Sequence, residues 1–180
     1  MTMAGDAIRS YIQAHDYRLM RRVHRWRPPR WVRLWMICST RLGDGSLWYS
    51  LAAILLVFGG PSGRQALYPA SLAAGVGIIL FRSIKRLSGR KRPCALEKHC
   101  WAAILPPDQF SFPSGHSITA FAIAVPIGIR CPDLMPFLLF FALSSAASRI
   151  VIGMHFLSDV VAGCLIGIGL GYASLLLLPN

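Results

Sequence analysis

Residues 115–178 hold three apolar runs: GHSITAFAIAVPIGI (115–129), LMPFLLFFALSSAASRIVI (134–152) and HFLSDVVAGCLIGIGLGYASLLLL (155–178). Crossing a hydrocarbon core near 30 Å takes about 20 apolar residues of helix, so such runs read as membrane helices. Arg130-Cys131-Pro132-Asp133 turns the chain between the first two. Upstream, Ala66 to about Leu87 predicts another crossing. Its small residues Ala70, Ser71, Ala73, Ala74, Gly75 and Gly77 suit close helix packing. Ser46 to Gly60 predicts a shorter crossing that borrows residues from the preceding segment. A tight turn, Gly59-Gly60-Pro61-Ser62-Gly63, joins these two.

Composition agrees. Hydrophobic residues make up 54% of the 180 and charged residues 14%, against about 25% in an average soluble domain. The expectation is one all-α integral-membrane bundle of five to six transmembrane helices, with residues 46–180 as the transmembrane domain. There is no solenoid-type repeat and no low-complexity tract.

Residues 1–45 differ. Arg9, Arg18, Arg21, Arg22, Arg25, Arg27 and Arg30 stand there without an apolar signal core, so a cleaved leader is not expected. Ile8, Tyr11, Ile12, Tyr17, Leu19, Val23 and Trp26 interleave with the bases and predict an amphipathic interfacial helix over 6–26; a plain solvated basic helix is the alternative. Pro28-Pro29 ends it. Residues 31–42 reach only about 18 Å as a helix and read as interfacial or as the start of the first crossing.

The net charge is +12. Long apolar segments separate the basic clusters, so nucleic acid is not the expected partner; anionic headgroups or a phosphate substrate suit the charge better. Five cysteines show no paired or zinc-ligand spacing. Cys94 and Cys100 share a loop and could bridge, but isolated thiols fit the sequence better.

Three polar clusters interrupt the apolar pattern. Lys85 and Arg92-Pro93 form the first. If the second crossing continued past Leu87, seven residues would turn about 700° and return both cations to one face about 10 Å apart, where they could grip a phosphate. Pro113-Ser114-Gly115-His116 opens the third crossing. A helix N-terminus binds anions, Ser114 can cap it, Gly115 lets backbone approach a ligand, and His116 sits on the first turn. Ser148-Arg149, His155 and Asp159 form the third cluster. His155 and Asp159 are neighbours at i,i+4; an aspartate accepting from Nδ1–H would fix the tautomer and leave Nε2 free to attack. Each cluster alone has a bland reading as a basic flank, a capped helix or an interfacial histidine. Helix alternation brings all three to one membrane face, where ionisable groups are costly and usually functional.

Together, Lys85-x6-Arg92-Pro93, Pro113-Ser114-Gly115-His116 and Ser148-Arg149-x5-His155-x3-Asp159 resemble the three-part signature of the type 2 phosphatidic acid phosphatase superfamily. The resemblance spans residues 85–159, and the helical frame extends it from about 46 to 178. It implies a membrane lipid phosphatase in which His155 attacks phosphorus and Asp159 holds its imidazole. His116 would protonate the leaving oxygen and then activate water. Lys85, Arg92, Arg149, Ser114 and the Gly115 N–H would hold the phosphoryl oxygens. No cofactor and no metal is expected, since cations replace the carboxylates that would hold Mg²⁺. The expected partners are a phosphorylated lipid and membrane lipids.

Trp101, Phe110 and Phe112 read equally as interfacial anchors or loop packing. Excluding Lys85, Arg92 and Arg149, the active face holds 14 of 16 basic residues if residues 1–45 lie there, with Arg64 and Arg130 opposite. That bias points the active face of a bacterial inner-membrane protein to the cytoplasm. A distorted crossing by residues 31–42 would reverse it. The rival readings are a phosphatase for a small sugar or metabolite, a vanadate-dependent haloperoxidase, and a silent lipid-binding membrane protein.

Overall fold

The computed structural model describes residues 3–97 and 108–178. Its helices run in the order α1 (Met3–Arg25), α2 (Arg30–Gly43), α3 (Ser46–Phe58), α4 (Gly60–Ser88), α5 (Pro93–Leu96), α6 (Gly115–Arg130), a 3-10 turn (Pro132–Leu134), α7 (Met135–Val151) and α8 (Leu157–Leu177). Among the described residues there is no strand beyond an isolated bridge between Lys91 and Phe110.

The bundle is organised around α6. Gly115, Ile118, Phe121, Ala122, Val125 and Ile127 are buried on all sides of this helix by α4, α7 and α8. At sixteen residues α6 is shorter than the about 20 that cross a hydrocarbon core, and it sits enclosed by its longer neighbours. Among the described residues, three segments are long and apolar enough to cross a membrane: Gly60–Ser88, Pro132–Val151 and Leu157–Leu177. The apolar helix α3, at 13 residues, is shorter. Outward faces carry Ile54, Phe58, Ile79, Phe140, Leu143, Leu165 and Leu176 in the open, the pattern of a bundle whose solvent is lipid.

Close approach of α8 to α6 sets the geometry of the site. Gly163, Gly167 and Gly171 recur every fourth residue along α8. A Cβ on them would come within 2.7 Å of the Ser114 carbonyl oxygen, 2.5 Å of that of Ile118 and 2.8 Å of Val125 Cβ. Small residues therefore let the two backbones touch, as in membrane dimers. On α4, Ala70, Ala73 and Gly77 are buried as expected, but Ser71 and Gly75 are exposed and line a furrow instead of a helix contact.

At the far end, Pro69 inside α4 cannot donate to the Gln65 carbonyl, and the Arg130 guanidinium lies against that carbonyl at 3.5 Å. Arg130 also donates to the Leu178 carbonyl at 2.7 Å, where α8 ends. One arginine thus serves the open carbonyls of two helices.

Residues 31–42 do not merge into the first crossing. Gly45, at φ 137°, turns the chain between α2 and α3, a conformation open to glycine. Helix α2 packs against α7 through Trp35 on Phe140 and Phe141, and α1 rests on α7 and α8 with Asp16 and Met20 buried.

Candidate active site

All three polar clusters converge on a cavity of about 220 Å³ at one end of the bundle. Its walls include Lys85, Arg92, Gly115, His116, Arg149 and His155, together with Asp44 and Asp108.

Helix α4 does not carry Arg92 in register with Lys85. It stops at Ser88, and Gly89 turns out in the left-handed conformation at φ 58°. The two cations meet instead through Asp108. Lys85 Nζ donates to Asp108 Oδ2 at 2.6 Å, and Arg92 Nη2 to Oδ1 at 2.8 Å. The Asp108 carboxyl lies below its usual range: burial raises it, and the bonds from Lys85 and Arg92 outweigh burial. Arg92 Nε donates to the Asp108 carbonyl at 2.9 Å, and Nη1 reaches the Met154 carbonyl at 3.0 Å and His155 Nε2 at 3.1 Å.

Ser114 caps α6. Its Oγ accepts from the Ser117 amide at 3.4 Å and the Ser117 hydroxyl at 2.9 Å, and the residue is fully buried. The hydroxyl is thus engaged inside the protein, and Ser114 is not among the cavity walls. Gly115 is, with its α-carbon laid on the Phe81 ring so that a Cβ would sit 3.2 Å from it. On the next residue, His116 Nε2 lies 2.7 Å from Asp44 Oδ1. That hydrogen bond is the largest cause of an Asp44 carboxyl held below its usual range.

Arg149 is buried at the end of α7. Its Nη1 donates to Thr40 Oγ1 at 2.6 Å, while the buried Nε has no partner among the described residues. The Arg149 carbonyl accepts the amides of Met154 and His155 at 2.9 and 3.1 Å, folding the turn that presents His155.

His155 lies in that turn, ahead of α8, with 2% of its surface exposed. Burial first, then the positive charges of Arg92, Arg149 and Lys85, drives its basicity well below that of an ordinary histidine. The ring is therefore neutral near pH 7. Arginine only donates, so the contact with Arg92 makes Nε2 the acceptor and puts the ring proton on Nδ1. Nδ1 then faces Asp159 Oδ2 at 3.7 Å, beyond hydrogen-bond distance, and has no other partner among the described residues. The tautomer matches the sequence expectation, but two details differ. Nε2 is engaged by Arg92 instead of standing free, and Asp159 is spent on other donors. Its Oδ2 accepts the Phe156 amide at 2.8 Å and its Oδ1 accepts Arg90 at 2.6 Å.

Sequence reasoning missed Asp44, Asp108, Arg90 and Thr40. A compositional signal existed for the carboxylates. The chain has only seven Asp and Glu against nineteen Lys and Arg, and Asp16, Asp44, Asp108 and Asp159 all pair with donors at this end of the bundle. Phe110 serves the loop, its amide donating to Asp108 Oδ1 at 3.1 Å. Trp101 and Cys100 lie outside the described residues.

The comparisons follow the same outline. The chain is 31% identical over 157 residues to the lipid A 1-phosphatase of Rhizobium etli, covering 76% of this chain and 66% of that protein. It is 26% identical over 140 residues to the undecaprenyl-diphosphatase of Sulfolobus acidocaldarius, covering 77% and 67%. The chain thus spans about two thirds of the length of these relatives. Its fold matches the crystal structure of Aquifex aeolicus LpxE with a TM-score of 0.74 at 29% identity, over 88% of this chain and 93% of that one. The sequence model of the PAP2 superfamily matches residues 66–180, a stretch that holds His116, His155, Asp159 and the cations around them, and to that superfamily the chain belongs.

Proposed function

We propose that this protein is a membrane phosphatase that removes phosphate from a phospholipid or polyprenyl-type monoester or diphosphate by way of a phosphohistidine. One observation carries the lipid assignment. From the cavity, Gly43, Asp44, Ile78 and Thr119 continue into a groove of about 380 Å³ walled by Trp48, Ala52, Ala70, Ala74, Gly75 and Ile123. A charged pocket that opens into an apolar furrow suits a phosphate carrying a hydrocarbon chain.

In this reading the phosphoryl group enters among Lys85, Arg92, Arg149 and the N–H groups that open α6, Gly115 first. Ser114 supports that N-terminus by capping it. The anion displaces Arg92 from His155 Nε2, which attacks phosphorus as the lipid oxygen departs. His116 supplies the proton to that oxygen, and Asp44 orients its ring. Asp159 balances the charge that develops on the His155 imidazolium. Water, deprotonated by His116, then cleaves the P–N bond and releases phosphate. No metal is assigned a step, so turnover is expected in EDTA and inhibition by vanadate.

A substrate panel tests the reading. Phosphatidic acid and a prenyl diphosphate are expected to exceed chain-free phosphate esters in kcat/KM. Equal rates on sugar phosphates would instead support a phosphatase of small metabolites.

The basic bias of residues 1–45 supports a site on the cytoplasmic side of a bacterial inner membrane, with those residues as an interfacial segment joined to a phosphatase domain over 46–180. Arg64 and Arg130 at the opposite end fit that orientation. Single cysteines at positions 100 and 131 report it: an impermeant reagent that labels only position 100 from outside would overturn the cytoplasmic placement.

A further inference from the structure

Helix α8 begins with the residues that flank the reactive histidine, yet its N-cap position is Phe156, whose side chain has no acceptor. The missing acceptor arrives from 142 residues away. Asp16, on α1 and 3% exposed, takes the Ser158 amide on Oδ1 at 3.1 Å and the Ser158 hydroxyl on Oδ2. A carboxylate there complements the positive end of α8.

Asp16 is also tied to the site. Arg90 donates through Nη2 to Asp16 Oδ2 at 2.6 Å and through Nη1 to Asp159 Oδ1 at 2.6 Å and Ser158 Oγ at 2.7 Å. Its guanidinium lies 4.3 Å from the centroid of the Phe156 ring. That fork is fixed on three sides, and one side is α1. Since Asp159 Oδ2 is held by the Phe156 amide, these two anchors fix the plane of the carboxylate against which His155 must work.

We infer that α1 is a working part of the catalytic unit: Asp16 and Arg90 are positioning residues that set the Asp159 carboxylate, and through it the His155 imidazole. The inference rests on His155 and Asp159 being the reacting pair. Asp16 lies outside the region that matches the superfamily. It gives residues 1–45 a second role besides surface binding. When the imidazole turns positive during attack, its Nδ1–H closes on the carboxylate from 3.7 Å, and the anchored guanidinium keeps that carboxylate in place to receive it.

The test uses the full chain in detergent micelles and compares Asp16→Asn, Arg90→Gln, Arg90→Lys and the Asp16→Asn/Arg90→Gln double variant. Arg21→Gln, which removes the ion pair of α1 with Glu97 and leaves Asp16 and Arg90 in place, is the control. Misplacing a reacting group by about 1 Å costs on the order of 100-fold. Arg90→Gln is therefore expected to lower kcat by about 100-fold with KM within about threefold, and Asp16→Asn by about tenfold. Arg90→Lys should recover part of the loss. The double variant should be no slower than Arg90→Gln, since both act through one carboxylate. Losses that multiply, losses confined to KM, or an Arg21→Gln variant as slow as Asp16→Asn would overturn the inference. Should Arg90→Gln not fold, Arg90→Lys and Asp16→Asn carry the same comparison. Phosphatidic acid and glycerol 3-phosphate, a chain-free ester with the same kind of alkoxide leaving group, are assayed side by side. A preference for the chain-free ester would overturn the lipid assignment alone, because the ranking of variants is expected on both.

Discussion

His155 and His116 share one cavity, and each faces a carboxylate, but the two pairs are built from different material. His155 and Asp159 come from one short stretch at the start of α8, four residues apart and almost wholly buried. His116 and Asp44 are 72 residues apart, joined across two helix ends, with the Asp44 side chain 54% exposed. The buried pair stands apart at 3.7 Å and the exposed pair touches at 2.7 Å. The difference matches the proposed chemistry. A nucleophile has to stay neutral until it attacks, and burial among cations keeps it so. A group that gives and takes protons needs a carboxylate in contact and access to water.

The largest expected effect concerns the buried ring. His155→Gln should lower kcat at least about 10⁴-fold, as loss of a nucleophile does. Full turnover in that variant would erase the distinction between the pairs. Next is Asp159→Asn, expected to cost about 10³-fold in kcat with KM little changed, since the imidazolium loses its counter-charge. His116→Ala should cost about 10²-fold or more in kcat/KM on a lipid alkoxide leaving group and markedly less on p-nitrophenyl phosphate, whose leaving group needs no proton. An equal loss on both esters would contradict the acid role.

The pH profile sharpens the same contrast. The protonated form of His155 cannot attack, and its basicity is well below the ordinary histidine value of 6.5. The acid limb of kcat/KM that belongs to His155 is therefore expected well under pH 6.5, with the neutral ring fully available above it. His116 has to carry a proton to serve as the acid, so its limb in kcat/KM is the alkaline one and is expected to vanish in His116→Ala; an acid limb at or above 6.5 would contradict the neutral, buried state of His155. The smallest effect belongs to Ser114→Ala. Loss of a cap costs about 1 kcal/mol, read as a lower Tm, with kcat reduced less than by any of the histidine variants.

These contrasts also explain what could be read without a structure. The helices were legible because a membrane interior imposes long apolar runs, and α4, α6, α7 and α8 begin and end within a few residues of expectation, although α4 starts earlier, at Gly60. The order of those helices brought Lys85, His116, Arg149 and His155 to one end, because alternation is a property of the chain itself. Local relations survived too: His155 and Asp159 are neighbours by helical geometry. Relations carried by loops and by residues 1–45 did not. Gly89 ends α4 before Arg92, so the two cations are joined by Asp108 rather than by helical register. Asp16, Thr40 and Asp44 carry no spacing relation to their partners Arg90, Arg149 and His116. Only the scarcity of carboxylates in so basic a chain marked the two aspartates, and nothing marked Thr40.

The central claim is that His155 becomes phosphorylated. Rapid quenching of the protein with phosphatidic acid labelled in its phosphate tests it most directly. The wild type is expected to carry an acid-labile, alkali-stable phosphoryl group, retained in His116→Ala and absent in His155→Gln. Labelled protein in His155→Gln, or a wild type that turns over without any phosphoryl-enzyme while His155→Gln stays active, would contradict it.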